Sequence, residues 1–321
     1  MPLPESDPKA QLGILSGNRR LDMEANGISI VLGTYNRKPY LKKTIAQVRR
    51  EIATLGVPAE IIVVDGGSED GTIAWLTRQK DIVAIVQHNR GSWRGEPVAR
   101  RSWGYFMNLA FKCAQGKFVC MLSDDCVIVP GAIRAGLDEF AQALRQGRKL
   151  GALAFHWRNW PANRRYFVIR VKGQVYVNHG LYLRRALEEA GYINEDDYYF
   201  YCADTDLCFR IVKAGHAVEA TARALIEHSQ HIAVDVRRAN KGKGKERLRH
   251  DEAMLQRNWA EFFGADAYRD VTVYDDSGSP EPDDTFARQG FGRAYRIEKL
   301  KQQLARPANL LKSFLKCERG S

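Results

Sequence analysis

Residues 118–125 read Phe-Val-Cys-Met-Leu-Ser-Asp-Asp. An apolar run ends abruptly in two carboxylates. A run that is apolar at successive positions suits a strand covered on both faces, as in a parallel sheet. The acids then fall at the strand's carboxyl end, where open α/β sheets bind their ligands. Adjacent carboxylates repel unless a cation or a proton intervenes. Hard oxygen ligands beside a ligand crevice suit Mg²⁺ or Mn²⁺ holding a diphosphate.

The flanking sequence gives this strand its neighbours. Ile28 to Leu32 is a short β-branched run, and Leu41, Ile45, Val48 and Ile52 recur at helical spacing across 40–55. Ile61 to Val64 predicts a second strand ending at Asp65, and a short helix opens at Thr72. Ile82 to Val86 predicts a third strand, 88–100 a polar loop, and 102–114 a helix leading into 118–123. This β-α-β-α order implies an α/β fold with a mostly parallel sheet and helices on both faces. The second half is less regular. It predicts a helix over 130–145, a strand over 150–155, an extended pair over 166–172 and 174–178, and a helix over 204–214. Past His231, Arg237, Arg238, Lys241, Lys243, Lys245, Arg247 and Arg249 stand against Glu246 alone. An acidic stretch with Asp275, Asp276, Glu281, Asp283 and Asp284 follows and reads as a loop.

The chain has 321 residues, 45% hydrophobic and 27% charged, which is ordinary for a globular enzyme. Its net charge of +11 favours anionic partners: nucleic acid, phosphorylated substrates or an anionic membrane surface. No apolar run reaches the roughly eighteen residues of a membrane span. Residues 1–26 are polar, broken by Pro2, Pro4 and Pro8, and lack a signal peptide's apolar core. The six cysteines form no Cys-x-x-Cys pair and read as reduced core thiols of a cytoplasmic protein.

Four motifs carry chemistry. Gly33-Thr34-Tyr35-Asn36-Arg37 follows the first strand; Tyr35 can stack on a base there, although a plain strand-to-helix turn explains the segment equally. In Asp65-Gly66-Gly67-Ser68-Glu69-Asp70-Gly71-Thr72, Asp70 or Ser68 suits a helix cap. Asp65, at the end of a buried strand, needs a partner such as a base N–H or a ribose hydroxyl. Ser123-Asp124-Asp125 is the third, with an acidic turn as the plainer reading. In the fourth, Asp204-Thr205-Asp206-Leu207-Cys208-Phe209-Arg210, the acids stand two apart and face different directions on a helix. One is left for chemistry while the other caps the helix or pairs with Arg210. Glu195, Asp196 and Asp197 upstream make a crowd of carboxylates, expected to raise the pKa of a buried member.

Together, in this order and with Gly116-Lys117-Phe118 ahead of the third motif, these residues resemble the family 2 glycosyltransferases, inverting enzymes with the GT-A fold. The resemblance covers residues 28–231. It implies a nucleotide-sugar-binding half over 27–127 and an acceptor-binding, catalytic half over 128–235. An N-terminal extension (1–26) and a basic C-terminal extension (236–321) flank them. Thr34, Tyr35, Arg37, Asp65, Arg100, Arg101 and Asp124 would serve the donor nucleotide. Asp125 and His228 would hold the metal, Mn²⁺ or Mg²⁺, and Asp204 would be the catalytic base. Ser123 and Ala203 depart from the family pattern, which has acids at both positions. The implied reaction moves a sugar from a nucleoside diphosphate sugar to a hydroxyl of a glycan, lipid-linked sugar or small molecule, with inversion. The cation takes up charge on the departing diphosphate and Asp204 removes the acceptor's proton. Trp157 and Tyr201 are candidate acceptor-binding aromatics, with a core or surface role as the alternative.

The C-terminal 295–316 mixes Ile297, Leu300, Leu304, Leu311, Phe314 and Leu315 with many Lys and Arg. It suits either peripheral contact with anionic lipid at the inner membrane face or a helix packed on the domain. A nucleic-acid-binding protein using 237–249 is the non-enzyme alternative, weakened by the lack of interleaved aromatics. A sugar nucleotidyltransferase is the enzyme alternative, weakened by the lack of a Gly-rich phosphate loop after the first strand.

Overall fold

A computed structural model of the chain describes residues 18–88, 92–228 and 244–293, with 296, 297 and 300. Its elements in chain order are α1 (Asn18–Asn26), β1 (Ile28–Thr34), α2 (Lys38–Leu55), β2 (Ala59–Asp65), α3 (Thr72–Leu76) and β3 (Ile82–Val86). Two minimal strands, β4 (Ser92–Trp93) and β5 (Glu96–Pro97), pair within the polar loop, and α4 (Trp103–Cys113) follows. Then come β6 (Phe118–Ser123), β7 (Cys126–Ile128), α5 (Ala132–Arg145), β8 (Leu150–Asn159), β9 (Val168–Val171), β10 (Gln174–Val175) and β11 (Gly180–Leu183). The order continues with α6 (Arg184–Glu189), α7 (Ala203–Lys213), β12 (Ala217–His228), α8 (Gly244–Asn258), α9 (Ala260–Phe263) and β13 (Thr272–Asp275). Residues 284–293 are helical.

Eight strands form one sheet in the order β3-β2-β1-β6-β11-β8-β12-β7. β1 lies parallel between β2 and β6, with Leu32 opposite both Val63 and Leu122. β11 runs antiparallel to β6 and β8, and β12 is parallel to β8. The sheet is mixed, with β3, β2, β1 and β6 running parallel to one another. The strands are apolar on both faces because helices cover both. Val31, Ile62 and Val119 face Phe106 and Phe111 of α4 and Leu207 of α7. Ile30, Val63 and Phe118 face Leu41 and Ile45 of α2 and Phe140 of α5. The switch of side from Ile30 to Val31 follows the two-residue period of a strand.

Gly33 of β1 lets α4 approach closely, since a Cβ there would stand 2.8 Å from the Phe106 ring. α4 starts where Ser102 Oγ accepts the Tyr105 N–H at 3.1 Å, a side-chain N-cap.

Two parts differ from the sequence reading. β12 carries Glu219, Thr221, Arg223 and Glu227 within its apolar positions, which hides it as a strand. Its polar groups find partners on neighbouring elements: Arg148 before β8 for Glu219, Glu139 of α5 for Thr221, Arg158 of β8 for Glu227. The acidic stretch is not one loop either. Asp275 ends β13, which pairs with β9, and Asp284 opens the 284–293 helix, leaving only 276–283 as irregular chain. The C-terminal part also returns to the core: Leu255 of α8 and Phe263 of α9 are buried in the layer that holds Leu207.

Cys113, Cys120, Cys126, Cys202 and Cys208 are free thiols. No helix among the described residues is long and apolar enough to cross a membrane. His231, Arg237, Arg238, Lys241, Lys243, Cys317 and most of the 295–316 segment lie outside the described residues.

Candidate active site

The carboxyl ends of β1, β2 and β6 open into a cleft of about 270 Å³. Thr34, Tyr35, Arg37, Arg100, Arg101, Asp124 and Asp204, all singled out from the sequence, line it. They come from four separate segments. The parallel register that sets Thr34 opposite Asp65, and Gly33 opposite Ser123, brings two of these segments to one level with the end of β2.

Asp65 is buried at the end of β2. Its Oδ1 accepts the N–H groups of Gly67 at 2.9 Å and Ser68 at 2.7 Å. Gly67 turns back with φ of 89°, a conformation that costs a residue with a side chain. Asp65 Oδ2 is buried without a hydrogen-bond partner among the described residues. Gly66, the next residue, lines the cleft, whereas Asp65 itself does not. Asp70 accepts from the N–H groups of Lys38 and Thr72 and so serves the starts of α2 and α3.

The cation between Asp124 and Asp125 is a guanidinium. Arg37 Nη1 donates to Asp124 Oδ1 and to Asp125 Oδ2, each at 2.9 Å. Thr34 Oγ1 donates to Asp124 Oδ2 at 2.7 Å, and Thr44 Oγ1 donates to the carbonyls of Asp124 and Cys126. The turn is therefore held from both β1 and α2. Burial lifts the Asp124 carboxyl above its ordinary value, and Arg37, pulling the other way, does not cancel it. Burial would lift Asp125 too, but His228 and Arg37 outweigh it and hold that carboxyl well below the usual range. Burial alone would lower the Arg37 pKa; the two carboxylates reverse this and keep the guanidinium charged.

Asp125 and His228 meet behind Asp124, with His228 Nε2 3.2 Å from Asp125 Oδ1. The other ring nitrogen, Nδ1, lies 2.9 Å from Asn159 Oδ1. With that amide oxygen accepting, Nδ1 carries a proton, and Nε2 donates to the carboxylate only when it is protonated as well. His179, 5.3 Å from the His228 ring, is pushed down to about 3 by burial and by His228, and so is neutral. Asn159 was not foreseen. It lies past the point where the sequence marks an end to β8, because His156 and Arg158 break the apolar run.

The two acids of α7 part as their spacing requires. Asp206 is buried and accepts from Arg210 Nε at 2.8 Å, Trp259 Nε1 at 2.9 Å and the Tyr198 hydroxyl at 3.2 Å. Asp204 is half-buried in the cleft and accepts the Thr205 N–H at 2.9 Å. Burial pushes its carboxyl up to about 6. The neighbouring acids are not the cause. Glu195 is occupied by Asn108 and Lys112, and Asp197 by Asn194 and Asn258.

The two aromatics expected on the acceptor side lie elsewhere. Trp157 is in the interior, packed against Phe167, His179 and His228. Tyr201 is exposed, its ring edge-to-face with Phe200. The aromatics that do line the cleft besides Tyr35 are Trp103, Phe106, Tyr199 and Phe200. Trp103 and Phe106 sit on an apolar helix, where the sequence offers no means of separating a cleft residue from a core one.

Comparison with known proteins gives matches of three kinds. Residues 29–164 match the profile of Glycosyl transferase family 2. The Bacillus subtilis (strain 168) protein named "Uncharacterized glycosyltransferase YwdF" is 28% identical over 196 residues, 58% of this chain and 68% of that protein. Protein CgeD of the same organism is 26% identical over 114 residues, 36% of this chain and 26% of its own length. Among solved structures, S. aureus TarS 1-349 gives a TM-score of 0.44 at 13% identity, covering 73% of this chain and 72% of that one. The Pyrobaculum calidifontis mannosyltransferase PcManGT, solved with GDP-Man and Mn²⁺, gives 0.46 at 17% identity, covering 90% and 79%. Over residues 29–164 the chain is thus similar to the family 2 glycosyltransferases.

Proposed function

We propose that the chain transfers a sugar from a nucleoside diphosphate donor to an acceptor hydroxyl with inversion, and that Asp204 is the general base. The observation that carries this reading is the shared cleft of Asp204 with Tyr35, Arg37 and Asp124. A half-buried carboxylate raised to about 6 is still ionised near neutral pH, yet is a better base than an ordinary aspartate. Tyr35 would stack on the base. The unpartnered Asp65 oxygen would take a base N–H or a ribose hydroxyl, and Arg100 and Arg101 would meet the diphosphate.

Asp125 Oδ1 and His228 Nε2, 3.2 Å apart, suit a divalent cation that arrives with the donor. No group of three or more His, Cys, Asp or Glu placed to hold a metal occurs among the described residues. A Mg²⁺ or Mn²⁺ ion held by these one or two side chains would be completed by diphosphate oxygens. When bound, the cation would neutralise charge on the leaving diphosphate. The chain's own part is to orient the imidazole through Asn159 and to keep Asp125 ionised through His228 and Arg37.

The test is a panel of UDP-, GDP- and dTDP-sugars with Mg²⁺ or Mn²⁺, followed by melting temperature and by release of nucleoside diphosphate. One donor class should raise the melting temperature through binding linkage and be slowly consumed. A panel with no shift and no release would remove the reading.

A further inference from the structure

Asp251 of α8 lies 52 residues from Tyr199 in sequence and is fully buried. Its two oxygens accept three consecutive backbone N–H groups: Tyr199 at 2.9 Å, Phe200 at 2.9 Å and Tyr201 at 2.8 Å. His250 Nδ1 stands 3.0 Å from the same carboxylate. Hydrogen bonds to an ionised acceptor are stronger than neutral ones, and three in a row fix a stretch of backbone that would otherwise be a surface loop.

The fixed segment is unusual in what it displays. Tyr199 is 54% exposed and Phe200 49%, and both line the cleft with Asp204. The Phe200 ring stands edge-to-face with Trp103 at 6.1 Å, and the Tyr199 carbonyl accepts the Trp103 N–H at 2.9 Å. His250 and Arg247 of α8 lie against the Tyr199 ring at 4.6 and 5.9 Å. The chain after α8 also holds the helix that follows, through Trp259 Nε1 to Asp206 of α7 at 2.9 Å. The C-terminal part thus grips the segment before the base at several points. Exposed aromatic faces gathered at a cleft mark a binding surface. Rings on a held backbone offer a flat apolar face at low entropic cost.

We infer that Asp251 is a positioning residue for an acceptor subsite. It holds Tyr199 and Phe200 so that they and Trp103 present a platform to the apolar face of a pyranose ring beside Asp204. The inference rests on the glycosyl-transfer reading above.

The experiment uses the full chain, with Asp251→Ala and Asp251→Asn compared after a melting control. Three rates are read: chymotryptic nicking at residues 199–201, release of sugar from the donor to water, and transfer to methyl β-D-glucopyranoside or its galactoside as probes. Asp251→Ala should raise nicking on the order of tenfold, because the segment is released to local opening. It should raise KM for the glycoside on the order of tenfold while leaving release to water within about twofold. Asp251→Asn retains one carbonyl oxygen for two of the three N–H groups and should fall between. If Asp251→Ala does not fold, Asp251→Asn is read in the same way, and Phe200→Ala is read through the glycoside KM alone. Unchanged nicking and unchanged glycoside KM would overturn the inference. So would an equal fall of transfer and release to water, which marks a merely structural residue. A wild-type chain that consumes no nucleotide sugar, even into water, overturns the transfer reading and the subsite with it.

Discussion

Asp204 and Asp206 stand two residues apart on α7 and have opposite surroundings: one faces the cleft, the other is enclosed by Arg210, Trp259 and Tyr198. Replacing each by Asn therefore separates chemistry from stability. Asp204→Asn should lower kcat by about 10²–10⁴-fold while donor affinity stays near wild type and the melting temperature does not fall. Asp206→Asn should cost about 1–3 kcal/mol of stability, because it weakens a buried charge-assisted network. Steady-state kinetics and urea unfolding of both variants check this. Near-normal turnover in Asp204→Asn removes it as the base.

The raised Asp204 carboxyl makes activity and stability respond to pH in opposite senses. The base works ionised, so kcat/KM should fall as pH drops through about 6. For stability, the folded-state pKa lies above the unfolded value of about 4. The native state then binds this proton more tightly, so the group penalises folding above pH 6 and ceases to do so as pH falls toward 4. Asp204→Asn should remove that part of the pH dependence of unfolding. A kcat/KM limb centred near 4 would show that burial is not felt in the working enzyme.

The fold was legible where the sheet is buried on both faces. β1, β2 and β6 read as largely apolar runs ending in Thr34, Asp65 and Ser123, and the cleft lies at those ends. The opposed roles of Asp204 and Asp206 were legible from helical geometry alone. β12 was not, because its charges are satisfied by residues far away in sequence. Nor was the ion between Asp124 and Asp125, since the spacing of acids does not say whether a metal or Arg37 stands between them. Asp251 lies just past the basic stretch, and its role depends on a contact across 52 residues that leaves no local pattern.

Arg37 bridges two buried carboxylates, so its removal should act mainly through their repulsion. Arg37→Met should cost about 3–5 kcal/mol at pH 7, the usual loss when one member of a buried ion pair goes. Asp125 is depressed in the native state, so its contribution is present above the unfolded pKa and is lost as pH falls through the folded one. Without Arg37 both carboxyls rise, and protonating one relieves the repulsion. The gap between variant and wild type should therefore narrow as pH is lowered toward 5, and narrow at pH 7 on adding Mg²⁺ or Mn²⁺. Urea unfolding under the three conditions measures it. An equal gap in all three would mean that Arg37 acts through packing instead.

Arg158 and Glu227 form a second buried pair, 1% and 0% exposed, one step before Asn159 and His228 in the register of β8 with β12. Arg158 Nε lies 3.0 and 2.9 Å from the two Glu227 oxygens, its Nη2 reaches Asp284 at 2.9 Å, and the Tyr166 hydroxyl also donates to Glu227. Burial raises the Glu227 carboxyl despite these donors. Glu227→Gln keeps an acceptor for Tyr166 but leaves the guanidinium short of charge, and should cost about 3–5 kcal/mol. Arg158→Met alone strands the carboxylate and should cost as much. Both changes together remove the stranded charge and should cost clearly less than the sum, since apolar replacement of a buried pair is often neutral. The cycle is closed by urea unfolding of the two single variants and the double variant. Strict additivity would mean that the two side chains are not coupled, and that the strand ends carrying Asn159 and His228 are held by the backbone ladder alone.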